Sequence, residues 1–397
     1  MLTNTQLNTP CYLYDLDVLE QTIFAAKTTA KKYGYHIHYA LKANNNPVIT
    51  NIINRHGLGA DCVSGNEVNE ALHRSFPAHR IVYAGVGKAD HEIKQALLGN
   101  IFCFNCESIE ELKVIAQIAK NNNRSAPVAI RINPGIKPHT HHYITTGLEE
   151  NKFGIHISQL QQALNLCYQS PWLKFKGLHF HIGSQINSLE PFIELCKKVN
   201  YIFSAFEIQK YGGTHLNLGG GFAVDYNNPQ QNSIPDFSNF FSVFANNLKT
   251  PQNINIHFEL GRSLVAQCGK LITKVLYTKK GVNKNFVITD AGMTELIRPA
   301  LYQAEHKIDN ISSEYPKEKY DIVGPICETS DVLAKDIFLP RTKRDDNLVV
   351  HSCGAYAESM MLRYNMRDRA KSLFLKNGKI TSSPLIDTEK FSKPEFS

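Results

Sequence analysis

Short apolar runs rich in β-branched and aromatic residues alternate with longer stretches of helical period through the first two thirds of the chain, the pattern of parallel β/α units. The pattern predicts eight strands, at 35–41, 58–63, 81–84, 101–104, 128–132, 175–181, 215–218 and 254–258. Helices are predicted between them, among them 67–74, 109–120, 157–168 and 189–206, several with acidic or serine residues near their starts, as helix N-termini prefer. Eight such units approach the size of a (β/α)8 barrel of the TIM type, with an open doubly wound sheet as the alternative. After Ser263 the texture changes to apolar–polar alternation punctuated by Lys-Gly and Asn-Gly turn signals, as in 270–278 and 285–290, which predicts a C-terminal antiparallel β domain. The extended segment Cys11-Tyr-Leu-Tyr14, ahead of a helix starting near Asp15 or Asp17, is free to join that domain as a strand. The expected division is a barrel domain over 18–264 and a β-sandwich or β-barrel domain over 265–397 together with 1–17. The tail beyond about 381 is expected to be loosely ordered.

Composition narrows the class without changing this architecture. The 397 residues are 43% hydrophobic and 10% aromatic, as in an ordinary globular protein. The 43 basic and 36 acidic residues give a net charge of +7, but they are scattered, which argues against a nucleic-acid partner. Nine cysteines, an odd number spread along a long chain, do not form a secreted disulfide framework. The first ten residues have no basic n-region and no apolar h-region, and no window approaches the ~18 apolar residues of a membrane span. No signal peptide and no membrane association are expected, and a cytoplasmic protein with free thiols is.

In a barrel the reactive side chains come from the carboxyl ends of the strands. Lys42 ends the first strand, Arg131 lies in the fifth, His179 and His181 end the sixth, and Glu259 follows the eighth. A lysine at the end of a buried strand is desolvated enough to act as an amine nucleophile, although a lone lysine is far more often a solvated charge. Gly219-Gly-Gly221 follows the seventh strand and Gly261-Arg262 the eighth, where barrels commonly bind phosphate. A triple glycine alone is more often a turn than a cradle. A Schiff-base lysine, an acid and a phosphate cup together describe pyridoxal 5'-phosphate, with Glu259 on the pyridine nitrogen.

The motifs Tyr39-Ala-Leu-Lys-Ala43, Gly59-Ala-Asp-Cys-Val-Ser-Gly65, Arg131-Ile-Asn-Pro134, His179-Phe-His-Ile-Gly-Ser-Gln185, Gly219-Gly-Gly221, Phe258-Glu-Leu-Gly-Arg262, Ile297-Arg-Pro-Ala-Leu-Tyr302, Gly324-Pro-Ile-Cys-Glu328 and Gly354-Ala-Tyr356 run in order along the chain. In them the sequence resembles the diaminopimelate decarboxylases, fold-type III, alanine-racemase-like pyridoxal-phosphate enzymes of lysine biosynthesis. The resemblance implies that Lys42 carries the cofactor, His181 stacks on its face, and Glu259 pairs with its ring nitrogen. It assigns the phosphate to Ser184, Gly219, Gly220, Gly221, Gly261 and Tyr356, with Arg262 at the cofactor as well. It implies that Cys327 returns a proton to Cα and that Glu328 recognises the distal amino group, both from the neighbouring subunit of a homodimer with shared active sites. Arg262, Arg298 and Tyr302, with Tyr356 beside them, are implied to bind the distal carboxylate. One departure is Leu260, where the family commonly has proline between the glutamate and the Gly-Arg pair.

The reaction implied is decarboxylation of meso-2,6-diaminopimelate to L-lysine and CO2, a lyase step for which a thiol suits the final protonation. Glu328 beside Arg298 and Tyr302 fits a substrate whose far end carries both an ammonium and a carboxylate. The rivals are a decarboxylase of ornithine, arginine or a carboxylated polyamine, and a non-catalytic regulator on the same fold. Cys103-Phe-Asn-Cys106 reads as core rather than zinc site, and His139, His141 and His142 as loop histidines rather than metal ligands, so no metal is expected. Asp61 and Arg131 either orient Lys42 or form a structural ion pair with each other.

Overall fold

The computed structural model describes residues 7–136 and 151–382. Strand β1 (Cys11–Asp15) comes first, and eight further strands close a parallel barrel: β2 (His36–Ala40), β3 (Gly59–Cys62), β4 (Ile81–Tyr83), β5 (Cys103–Cys106), β6 (Ala126–Arg131), β7 (Leu173–His179), β8 (His215–Asn217) and β9 (Asn255–Leu260). Each coincides with an expected strand. The largest shifts are in β5, which runs two residues later than its apolar run and includes the buried polar Asn105, and in β7, which runs two residues earlier.

Helices between the strands bury one face against the barrel. Helix Phe237–Asn247 packs Phe240, Phe241 and Phe244 on Phe258, at ring centroid separations of 5.6, 5.0 and 4.8 Å. Because side chains alternate along a strand, anchoring Phe258 outward turns its neighbour Glu259 inward.

The remaining strands are β10 (Gly269–Lys280), β11 (Asn285–Thr289), β12 (Ile308–Asn310), β13 (Lys317–Val323), β14 (Val332–Pro340), β15 (Asn347–Val350), β16 (Lys371–Lys376) and β17 (Lys379–Thr381). They join β1 in a nine-stranded sheet with the path β14-β13-β11-β10-β1-β16-β17, with β15 pairing β10 and β12. The N-terminal strand therefore does complete the second domain. The sheet is mixed rather than antiparallel: β1 pairs β16 in parallel and β11 pairs β13 in parallel. Parallel neighbours need a crossover connection, which period-two alternation does not encode.

Asp15 ends β1 and caps helix Leu16–Lys32, its Oδ1 accepting from the amides of Asp17 and Val18 at 3.1 Å. The sheet is stitched to the barrel mouth nearby. Asn44 Nδ2 donates to the Gly354 carbonyl at 2.9 Å and the Tyr356 amide donates to the Ala43 carbonyl at 2.8 Å, which clamps Tyr356 beside the turn carrying Lys42. Among the described residues no helix is long and apolar enough to cross a membrane. His139, His141, His142 and the tail from 383 lie outside the described residues.

Candidate active site

The carboxyl ends of the barrel strands open into a cavity of about 390 Å3, lined by Lys42, Arg131, His179, His181, Ser184, Gly221, Glu259, Gly261, Arg262, Arg298, Tyr302 and Tyr356 among others. Lys42 sits in the 3-10 turn Leu41–Ala43 directly after β2, its side chain 38% exposed and its Nζ 3.8 Å from Asp61 Oδ2. Asp61 is 1% exposed, and neither carboxylate oxygen has a hydrogen-bond partner. Burial, reinforced by the nearby Glu259, pushes its carboxyl upward. Burial opposes the Lys42 ammonium, but Asp61, Tyr356 and Glu259 outweigh it and lift the amine above its ordinary range.

Glu259 is held by three donors. Asn105 and Asn217 donate to Oε1 at 3.0 and 2.7 Å, and His179 Nε2 donates to Oε2 at 3.0 Å. Oε2 retains a lone pair for one further donor. Burial keeps His179 and His181 well below the usual imidazole range, so both rings are neutral. Arg131 pairs with Glu107 at 2.6 Å rather than with Asp61, so the suspected Asp61–Arg131 ion pair is not formed. Glu107 also takes the Gly154 amide at 2.8 Å, and the Arg131 guanidinium lies 4.8 Å from the Phe153 ring, so Arg131 fixes the cavity wall.

The far side of the cavity carries two guanidiniums. Arg262 is 6% exposed and Arg298 5%. Arg262 donates to Ser184 Oγ through Nε at 3.3 Å and Nη2 at 2.9 Å, and to the Tyr226 hydroxyl through Nη1 at 2.7 Å. Its plane lies 4.8 Å from the Tyr356 ring. Arg298 Nη1 donates to the same Tyr226 hydroxyl at 2.8 Å and to His306 Nε2 at 2.7 Å, while its Nε is buried without a partner. Among the described residues neither arginine forms an ion pair with a carboxylate.

The glycines work differently from a simple cradle. A Cβ on Gly220 would meet the Glu259 carbonyl oxygen at 1.9 Å, and one on Gly219 would meet the Phe180 carbonyl oxygen at 2.4 Å. Their absent side chains let the loop after β8 lie flat on the strands bearing Glu259 and His181. Gly221 and Gly261 line the cavity; Gly219 and Gly220 do not.

Cys327 and Glu328 lie outside the cavity on the protein surface, Glu328 accepting from the Tyr364 hydroxyl at 2.7 Å. The other eight cysteines, Cys103 and Cys106 included, are buried free thiols. Among the described residues no group of His, Cys, Asp or Glu is arranged to hold a metal.

Sequence reasoning singled out neither Asn105, Asn217, Glu107, Tyr226 nor His306. Asn217 stands at an inward position on a predicted strand, a signal that was available, whereas Asn105 lies one residue beyond the predicted 101–104 run. Tyr226 and His306 lie in loops, where no periodicity points.

The residues present suit pyridoxal phosphate: an amine at the cavity, a carboxylate with a lone pair to spare, an orphaned acid beside the amine, and glycine-lined walls next to serine and arginine. Comparison with known proteins agrees. Residues 18–266 match the model for the pyridoxal binding domain of pyridoxal-dependent decarboxylases. The chain is 51% identical over 366 residues to diaminopimelate decarboxylase of Bacteroides thetaiotaomicron, covering 92% of this chain and 95% of that protein. The crystal structure of diaminopimelate decarboxylase from Helicobacter pylori complexed with L-lysine superposes with a TM-score of 0.89 at 41% identity, over 95% of this chain and 93% of the other. A lysine/ornithine decarboxylase from Vibrio vulnificus shares the fold, with a TM-score of 0.81 at 22% identity over 93% of this chain and 95% of that one.

Proposed function

The chain belongs to the diaminopimelate decarboxylase family of pyridoxal-phosphate-dependent lyases, and we propose that its cavity releases CO2 from meso-2,6-diaminopimelate to leave L-lysine, in the biosynthesis of that amino acid. When bound, the cofactor supplies an electron sink for the pair left behind as the Cα–CO2 bond breaks.

The protein's own residues hold, orient and protonate. Lys42 would hold the cofactor aldehyde, neutral His181 would pack against the ring, and Glu259 would take the ring nitrogen on its spare lone pair. Ser184, Gly221, Gly261 and Tyr356, all at the cavity wall, would handle the phosphate, while Gly219 and Gly220 let the loop that carries Gly221 lie on the strands, and Arg262 reaches the same region through Ser184. Arg262, Arg298 and Tyr302 receive the substrate's distal carboxylate, with Tyr356 alongside.

Cys327 returns the proton to Cα and Glu328 takes the distal ammonium, both supplied by a second copy of the chain. Their position outside this chain's own cavity supports a homodimer with shared sites. Nine unpaired thiols fit a reducing compartment, and we place the reaction in the cytoplasm.

The observation that carries the substrate assignment is the pair of buried guanidiniums with no carboxylate partner. Buried charges are normally paired, and leaving them unpaired costs several kcal/mol, so the site is built to be completed by an anion. A simple diamino acid brings none to that end. Replacing Arg298 by methionine tests this: KM for meso-diaminopimelate should rise at least about tenfold, while inhibition by L-lysine, which lacks the distal carboxylate, stays nearly constant. An unchanged KM would remove Arg298 from the substrate.

A further inference from the structure

Arg298 has two N–H groups on Nη1, and both are engaged: one by the Tyr226 hydroxyl at 2.8 Å, the other by His306 Nε2 at 2.7 Å. Its Nε, on the opposite edge of the fork, is buried without a partner. A guanidinium presents carboxylates with two parallel donors, so fixing one corner decides which edge is offered.

The two acceptors are themselves fixed. His306 Nδ1 donates to the His351 carbonyl at 2.8 Å, which leaves Nε2 as the lone-pair nitrogen facing Arg298. Burial, together with the Arg298 charge, holds His306 down to about 3, so the ring is neutral and an acceptor throughout the working range of pH. His351 is anchored in turn by Asp309, whose Oδ2 accepts from Nε2 at 2.9 Å. Tyr226 accepts from Arg298 and Arg262 together, so a single oxygen holds two like-charged groups at one end of the cavity. The Tyr226 ring meets Arg298 at 4.8 Å and His306 edge-on at 4.9 Å.

We propose that Tyr226 and His306 are positioning residues that set the selectivity for a distal carboxylate, by occupying both Nη1 hydrogens of Arg298 and so leaving its unpartnered Nε edge for the substrate. The inference rests on the assignment of Arg298 to that carboxylate. Neither residue donates or accepts a proton in the reaction. Each presents an acceptor to Arg298, and a carboxylate in either place would neutralise the guanidinium and compete with the substrate for it.

The test uses the cofactor-loaded enzyme and the variants Tyr226→Phe, His306→Leu and His306→Gln, with Arg298→Met alongside. For each, kcat and KM for meso-diaminopimelate, the inhibition constant of L-lysine and the pyridoxal phosphate content are measured. Tyr226→Phe and His306→Leu should raise KM about tenfold, the low end for a hydrogen bond to a charged group. The lysine constant and kcat should move by less than about threefold, because lysine does not use Arg298. His306→Gln, whose side-chain oxygen restores an acceptor, should recover most of the loss. Lysine and cofactor binding report whether each variant has folded, and Tyr226→Phe, which keeps the ring, carries the test if His306→Leu does not fold. Parallel loss of both ligands, or an unchanged KM, in variants that retain cofactor would overturn the proposal while Arg298→Met still raised KM alone. An Arg298→Met enzyme with unchanged KM would instead fail the substrate assignment, and the proposal with it.

Discussion

Acid should weaken the barrel from its floor. His38, His215 and His257 are 3%, 2% and 7% exposed and lie together inside the barrel, the His215 and His257 ring centroids 4.2 Å apart and those of His38 and His257 5.2 Å apart. His38 Nδ1 donates to the Arg80 carbonyl at 3.0 Å, so its Nε2 accepts from His257 Nδ1 at 2.9 Å. Protonating that nitrogen would set two donors face to face. His215 has no partner on either nitrogen. The charged and titratable groups facing the cluster are His36, Arg80, Lys176 and His179, which oppose further positive charge, and Glu259, which favours it on His38. Burial dominates, depressing His38 to about 4 and the other two further.

The unfolded chain titrates near 6.5, so it binds more protons than the folded one below that pH. The stability these groups contribute is complete above 6.5 and is lost as pH falls toward 4. Between pH 7.0 and 5.5 each neutral histidine accounts for about 1.2 kcal/mol of loss, roughly 4 kcal/mol for three, a large part of a typical 5–15 kcal/mol. His215→Leu removes one titrating ring and two unsatisfied nitrogens. In urea unfolding at pH 7.0 and 5.5, the variant should lose about 1.2 kcal/mol less than the parent across that interval. An equal loss in parent and variant would refute the argument that buried neutral histidines are the source.

Other perturbations have distinct signatures. Gly220→Ala forces a Cβ to within 1.9 Å of the Glu259 carbonyl oxygen, so it should cost about 3 kcal/mol or more in melting experiments and release pyridoxal phosphate, whereas Gly87→Ala, with nothing within 4 Å, should be silent. Cys327 is exposed and the other eight cysteines are buried, so Ellman's reagent should titrate one fast thiol in the native protein, absent in Cys327→Ala and slowed by L-lysine; a fast phase surviving the substitution would contradict this. Asp61→Asn removes the counter-charge 3.8 Å from Lys42, so the amine pKa should fall and the pH profile of cofactor capture should move to lower pH. An unmoved midpoint would mean Asp61 does not set the amine.

Much of the architecture was legible because it is written in side-chain chemistry that repeats. The eight barrel strands stand out as β-branched and aromatic runs, and Lys42 and Glu259 fall at strand ends, where a barrel exposes its chemistry. The parallel pairing of β1 with β16 and of β11 with β13 was not legible, since the partner of a strand depends on crossovers that alternation does not record. Asn105 and Asn217 occupy inward positions, but that they converge on one carboxylate oxygen is decided by register between strands, the two residues lying 154 and 42 positions from Glu259 in sequence. Tyr226 and His306 escaped notice because a loop residue's role lies in whom it meets. The placement of Cys327 and Glu328 outside the cavity was foreseeable only through the family resemblance, which puts them in a neighbouring subunit.

The measurement that bears most directly on the substrate is CO2 release by the purified, cofactor-loaded protein offered meso-diaminopimelate, L-ornithine, L-arginine and L-lysine separately, with the products identified. CO2 with L-lysine as product from meso-diaminopimelate alone is the expected result. Release from ornithine or arginine at a comparable rate would contradict the role given to the two unpaired guanidiniums, and no release from any of the four with cofactor bound would contradict decarboxylation itself.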